Sequence, residues 1–283
     1  MNFTYEIPNI NDPHVCADWI EFYVILTGLD MAKTEFQDFI ENTQGLDSDE
    51  VDLGILDSVW QELEYREFLY GSNSPFRVNR SLVSSNIQSW TEVPYQVMCL
   101  IFSLEGNDHT PDYTPSQSGS LFEKIIEAAT ASFFQGKAFI FGYPNETLKS
   151  FSERLEHIEF SRPLHPDLND GGLDVLSTGP FNDSRPNELS ILIQCAAGRN
   201  WITKIDDLNI DEWNTRLDFT VVPTKGFAVP IVMKPRDIFK RSKRMGLLLD
   251  RPRIYKTLKL VDCSSIQIEI EGWCDSRLKQ LIA

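Results

Sequence analysis

An aspartate inside an apolar run is costly unless it is paired or bound to a metal ion, and the stretch 170–176 (DGGLDVL) places one at Asp174. Its carboxylate has two readings: a cap on the turn that Gly171 and Gly172 form, or a metal ligand. Gln194 ends the apolar run Leu189–Cys195 (LSILIQC), where its amide can hydrogen-bond a loop. The following residues, Gly198, Arg199, Asn200 and Trp201, read as a strand-to-helix turn. Asn200 would cap the helix and Trp201 would pack on the sheet, leaving Arg199 placed to meet a phosphate. Lys204 reads as a solvated lysine on that helix. Glu123 stands three residues after Ser120, the spacing of a capping box. His157 and His165 read as surface or hydrogen-bonded residues. The five cysteines (Cys16, Cys99, Cys195, Cys263 and Cys274) contain no C-x-x-C pair, which disfavours a disulfide framework or a zinc site and leaves buried thiols.

The elements that must position these side chains follow from hydrophobic spacing. Beyond Ser120 a helix is predicted with Phe122, Ile125, Ile126, Ala129 and Phe133 as its buried stripe. Residues 137–141 (KAFIF) read as a strand, 146–157 as an amphipathic helix, 173–177 as a second strand and 189–195 as a central one. Residues 200–216 are predicted helical, and 219–222 begin a strand before Pro223. This order predicts an α/β sandwich with a mixed sheet, in which two consecutive strands form a hairpin and a helix crosses over to the last.

Upstream, helical spacing marks Val15, Trp19, Phe22, Tyr23 and Leu26, then Leu56, Val59, Trp60 and Leu63 within 49–69, with a short helix at Phe36, Phe39 and Ile40 between them. Residues 95–104 are apolar on all sides and fit a buried helix or a buried strand. Residues 105–120 (EGNDHTPDYTPSQSGS) lack apolar periodicity and read as a linker. We therefore expect an acidic, mostly helical module over 1–110. A domain over 119–283 follows, with a basic C-terminal stretch.

Charge changes at the same linker. The 283-residue chain carries a net charge of −16, and residues 1–118 alone, with 4 basic and 20 acidic side chains, account for it. Residues 232–260 reverse the sign, with ten Lys or Arg against Asp237 and Asp250. A chain this acidic is not a plain nucleic-acid binder, yet Lys240, Arg241, Lys243 and Arg244 can contact a polyanion locally, unless they form only a solvated face. Composition excludes disordered and collagen-like classes. No apolar run is long enough to span a bilayer, and the start MNFTYEIPNINDP lacks a signal-peptide layout, so a cytoplasmic protein that does not meet a membrane is expected.

The wording D-G-G-L-D-V followed by Q-C-A-A-G-R-N-W over residues 119–225 resembles the restriction-endonuclease-like superfamily, and within it a branch of bacterial phage-defence nucleases. The resemblance implies phosphodiester hydrolysis with Mg2+, a hard cation that takes carboxylate and carbonyl oxygens and acidifies an attacking water. It implies Asp174 as central ligand, Gln194 in place of the usual glutamate, the Cys195 carbonyl as a further ligand and Glu123 as the helix acid. The superfamily's lysine, two residues after Gln194, is replaced by Ala196, and Lys204 is the nearest substitute.

Two function classes follow. One is a Mg2+-dependent nuclease subunit of an antiviral defence system that cuts DNA when a partner subunit, such as an ATPase or DNA sensor, unleashes it. The other is a catalytically inactive subunit that serves assembly, the reading that Ala196 favours. A third has the acidic module occupying a partner's DNA-binding groove.

Overall fold

The computed structural model describes residues 8, 10–44, 53–105, 114–163, 170–181, 183, 185, 186, 188–258 and 264–281. His165, Lys259, Cys263 and residues 106–113 of the linker lie outside them. The chain divides into two compact units, Met1–Thr114 with Gln267–Ala283, and Pro115–Ile266. Among the described residues no helix is long and apolar enough to cross a membrane.

The first unit is mostly helical, as its spacing predicts. Helix α1 (Pro13–Thr27) starts where Asp12 accepts a hydrogen bond from the His14 amide, and stops at Gly28, whose φ of 68° is left-handed. Trp19, Ile20, Phe22 and Val24 of α1 are buried with Phe36 of α2 (Lys33–Gln44) and with Leu56, Val59 and Leu63 of α3 (Leu53–Tyr70). The ambiguous apolar run is a helix, α4 (Pro94–Glu105). A small antiparallel sheet, in the order β1 (Met31–Ala32), β3 (Leu82–Ser85), β2 (Phe76–Asn79), was not anticipated, because strands of two to four residues are too short to show alternation.

The core of this unit also encloses charge. Arg66, 1% exposed, meets Asp18 at 2.6 Å, Glu62 at 2.7 Å and Glu21 at 3.2 Å. The carboxylates are joined in turn to Ser103 and Gln96. Residues 267–281 of the last helix, which the sequence reading assigned to the downstream domain, belong here. Trp273 packs edge-on against Phe102 with ring centroids 5.0 Å apart, and Arg277 bonds Glu105.

The second unit is a five-stranded mixed sheet, in agreement with the predicted fold class. Its order is β10 (Leu247–Leu249), β9 (Thr224–Ala228), β7 (Leu189–Cys195), β6 (Val175–Gly179), β4 (Lys137–Ile140). Strands β4, β6 and β7 run antiparallel, while β7, β9 and β10 are parallel. Helix α5 (Pro115–Phe133) packs on one face through Phe122, Ile125 and Ile126. The other face carries α6 (Leu148–Ser152), α7 (Ile210–Trp213) and α8 (Pro235–Met245), with α9 (Arg251–Leu258) following β10.

Several boundaries differ from the sequence reading. Helix α5 begins at Pro115, so Ser120 and Glu123 lie inside it and form no capping box, and Phe133 at its end is 56% exposed instead of buried. The helix expected over 146–157 is the short α6, started by Thr147 and ended before His157, whose φ of 59° turns the chain. The helix expected over 200–216 breaks into a 3-10 turn, Trp201–Lys204, and the single turn of α7, because Asn209 caps a fresh start by accepting from the Asp211 and Glu212 amides. The last predicted strand begins after Pro223, as β9, while β8 (Leu217–Asp218) pairs with β5 (Glu159–Phe160) in a two-residue ribbon.

Candidate functional site

The site begins in the turn before β6. Asp170 Oδ1 accepts from the Gly172 amide at 2.8 Å, and Gly171 and Gly172 take φ of 59° and 73°. A side chain at Gly172 would lie 2.7 Å from the Asp207 backbone, so glycine is demanded by space as well as by φ. The Gly171 carbonyl accepts from the Trp213 indole at 3.0 Å, which fixes the turn to α7.

The turn hands the chain to β6 with one residue too many. The Asp174 amide donates to the Ile193 carbonyl, opposite which Val175 already stands, so two residues face one in the manner of a β-bulge. Leu173 and Leu176 both enter the apolar cluster beneath α6 and α7, which leaves Asp174 and Val175 on the α5 face. There Asp174 Oδ2 accepts from the Cys195 amide at 2.6 Å.

Three carboxylates and one ammonium act on each other at this place. Part of Asp174 meets solvent, yet its carboxyl sits deep enough that burial, and then the negative charge of Glu123, push its pKa up to about 8. The Cys195 amide, Asp170 and Lys204 act less strongly. Burial raises Glu123 above the usual carboxylate range, Asp170 adds to the rise and Lys204 opposes it. The Cys195 thiol is held well above its ordinary value by burial and by Asp174 and Glu123. Glu123 and Lys204 thus both bear on the charge of Asp174, and Glu123 is released from the capping role that its spacing suggested. Asp170 is the residue that sequence reasoning missed, although it is the first letter of the D-G-G-L-D wording.

Gln194 is not part of this group. It is buried on the opposite face of β7, between Leu192 and Ala196, and its Nε2 lies 3.4 Å from Asp207 Oδ2, while its Oε1 has no hydrogen-bond partner among the described residues. The expected pairing of Asp174 with Gln194 around one ion is therefore corrected. The bulge sends Asp174 to one face and strand alternation sends Gln194 to the other. Ala196 is fully buried with Ile205, Phe227 and Met245, so a lysine there would enter an apolar core.

The segment after Lys204 is held from below. Lys225 of β9 donates to the carbonyls of Ile205 at 2.6 Å and Leu208 at 2.8 Å. Arg199 is exposed in the turn before residue 201. Asn200 does not cap through its side chain, its carbonyl accepting from Thr203 instead, while Trp201 packs against Phe227 with centroids 6.4 Å apart. On α8, Arg241 stands 3.7 Å from Asp237 and Arg244 is bound by Asp206, whereas Lys240 and Lys243 are exposed.

The donor set suits a hard cation that retains water. Oxygen ligands dominate, and a divalent charge would relieve the mutual repulsion that keeps Asp174 and Glu123 reluctant to ionise. Among the described residues no three His, Cys, Asp or Glu side chains come close enough to hold an ion together.

No protein family matches the chain in sequence, and no curated protein or solved structure matches it.

Proposed function

We propose that the second unit hydrolyses DNA phosphodiesters with Mg2+, as a nuclease subunit of a cytoplasmic antiviral defence system. The observation that supports this reading is that the bulge turns Asp174 toward α5, where the charges of Glu123, Asp170 and Lys204 all act on its carboxyl. Asp174 and Glu123 would hold the ion, Glu123 directly or through water, and the Cys195 carbonyl remains a further oxygen beside them. Bound there, Mg2+ would polarise a phosphoryl oxygen and acidify an attacking water.

The chain's own groups have separate tasks. The Cys195 amide fixes the Asp174 carboxylate through Oδ2. Glu123, its affinity for a proton raised by burial and by Asp170, would take the proton from the attacking water when it reaches the ion through that water. Lys204 brings the positive charge that the superfamily's missing lysine would supply, and Lys225 holds the segment from which it projects. Arg199 lies in the adjoining turn, where a phosphate can reach it. A partner subunit, an ATPase or a DNA sensor, would bring the acidic chain to its substrate, since its net charge of −16 repels phosphate.

Metal-dependent cleavage of plasmid DNA by the full chain, with and without its partner, tests this. Asp174→Asn and Lys204→Gln should each lower the rate at least about a hundredfold, the scale of losing one charge-stabilising group. Equal rates in wild type and Asp174→Asn would end the proposal. A second reading, an inactive assembly subunit, is favoured by the burial of Ala196 in apolar core. It expects no Mg2+ binding by calorimetry and no dependence of assembly on Asp174.

A further inference from the structure

Helix α8 turns four side chains to one side. Arg236, Phe239, Lys240 and Lys243 recur at spacings of three and four, opposite Ile238 and Met245, which pack into the cluster beneath the helix. All four are exposed, Phe239 to 89%. Arg241 and Arg244, which the sequence placed in the same basic group, are instead paired within the unit by Asp237 and Asp206. Among the described residues no carboxylate pairs with Arg236, Lys240 or Lys243. The Arg244 to Asp206 bridge ties the end of α8 to the segment two residues beyond Lys204.

We propose that this face of α8 binds a single-stranded stretch of DNA, with Arg236, Lys240 and Lys243 on consecutive phosphates and Phe239 stacked on an unpaired base. The inference rests on the nuclease reading for its choice of DNA, and deepens it by naming the form of the substrate. The cations alone would serve any polyanion. The exposed ring selects among them, because a base in a duplex is already stacked on its neighbours while an unpaired one offers its face. An acidic protein would satisfy the cations and leave Phe239 in water.

The test is fluorescence anisotropy of labelled oligo-dT, oligo-U and a DNA duplex of equal length with the full chain, in EDTA so that no metal-dependent cleavage intervenes. At about 50 mM salt, where phosphate contacts are little screened, oligo-dT should bind and the duplex should bind more weakly. Phe239→Ala, a change at a solvent-exposed position, should weaken oligo-dT binding about fivefold or more while leaving its salt dependence unchanged. Lys240→Gln with Lys243→Gln should reduce the slope of log affinity against log salt by about 1.4, roughly 0.7 for each lost contact. Lys137→Gln, on β4, should match wild type. No binding of oligo-dT, an unchanged affinity in Phe239→Ala, tighter binding of the duplex or of oligo-U, or equal displacement by polyglutamate would each overturn the assignment. Because the measurement needs neither metal nor Asp174, its failure leaves the cleavage result standing, and a failure of cleavage leaves this one.

Discussion

Replacing Asp174 by asparagine should stabilise the second unit, and by an amount that depends on pH. Asparagine keeps an oxygen to accept from the Cys195 amide, so the hydrogen bond survives while the charge is removed. In the folded chain the carboxyl titrates at about 8 against an ordinary 3.8. Between these values the unfolded chain has released a proton that the folded chain still holds, so this group's contribution to stability falls as pH rises and is fully lost above about pH 8. Four units at 1.36 kcal/mol set an upper bound of about 5–6 kcal/mol. Local relaxation and water reduce that to about 2–4 kcal/mol at the high effective dielectric of real protein sites. Urea unfolding of wild type and Asp174→Asn at about pH 4, 6 and 8 should show a gap that is near zero at the acid end and widens with pH. Hydrogen exchange of the β6 and β7 amides assigns the change to this unit. Mg2+ should narrow the gap at pH 8 by favouring the ionised wild-type carboxylate. A variant no more stable than wild type at pH 8, or equally advantaged at every pH, would refute the argument that burial and Glu123 oppose the charge.

Two further changes probe the frame. Gly172→Ala puts a methyl 2.7 Å from the Asp207 backbone at a φ of 73°, and should cost about 1–3 kcal/mol in denaturant while abolishing any Mg2+-induced stabilisation. Wild-type stability would show that the turn yields freely. Arg66→Met leaves Asp18, Glu21 and Glu62 without their cation in the core of the first unit, and should cost about 3–5 kcal/mol, partly recovered in acid as the carboxylates protonate. A loss below about 1 kcal/mol on thermal melting would mean that the network is not held by its charges.

What the chemistry-bearing residues would do was readable only where local rules decide. Asp174 was singled out because a carboxylate in an apolar strand needs an explanation, Glu123 because the resemblance implies a helix acid there, and Lys204 as the nearest substitute for the lysine that Ala196 replaces. Gln194 entered the same group through the resemblance, which implies a ligand on the strand beside that of Asp174. One extra residue at Asp174 sends it to the other face, and nothing in the residue types announces a bulge. Arg241 and Arg244 looked like Lys240 and Lys243 in the sequence, because composition does not reveal that Asp237 and Asp206 stand beside two of the four.

The sequence by itself determined the elements with strong periodicity: helices α1, α3 and α5, the central strand β7, the acidic character of the first unit and the α/β class of the second. Those features depend on residue type and spacing over one or two turns, which any folded context preserves. Only the tertiary structure decided that residues 267–281 return to the first unit, that β9 starts beyond Pro223, that Asp170 joins Asp174 and Glu123, and that Gln194 turns away. Each of these is set by contacts between residues far apart in the chain, where a single-residue shift in register exchanges one face of a sheet for the other.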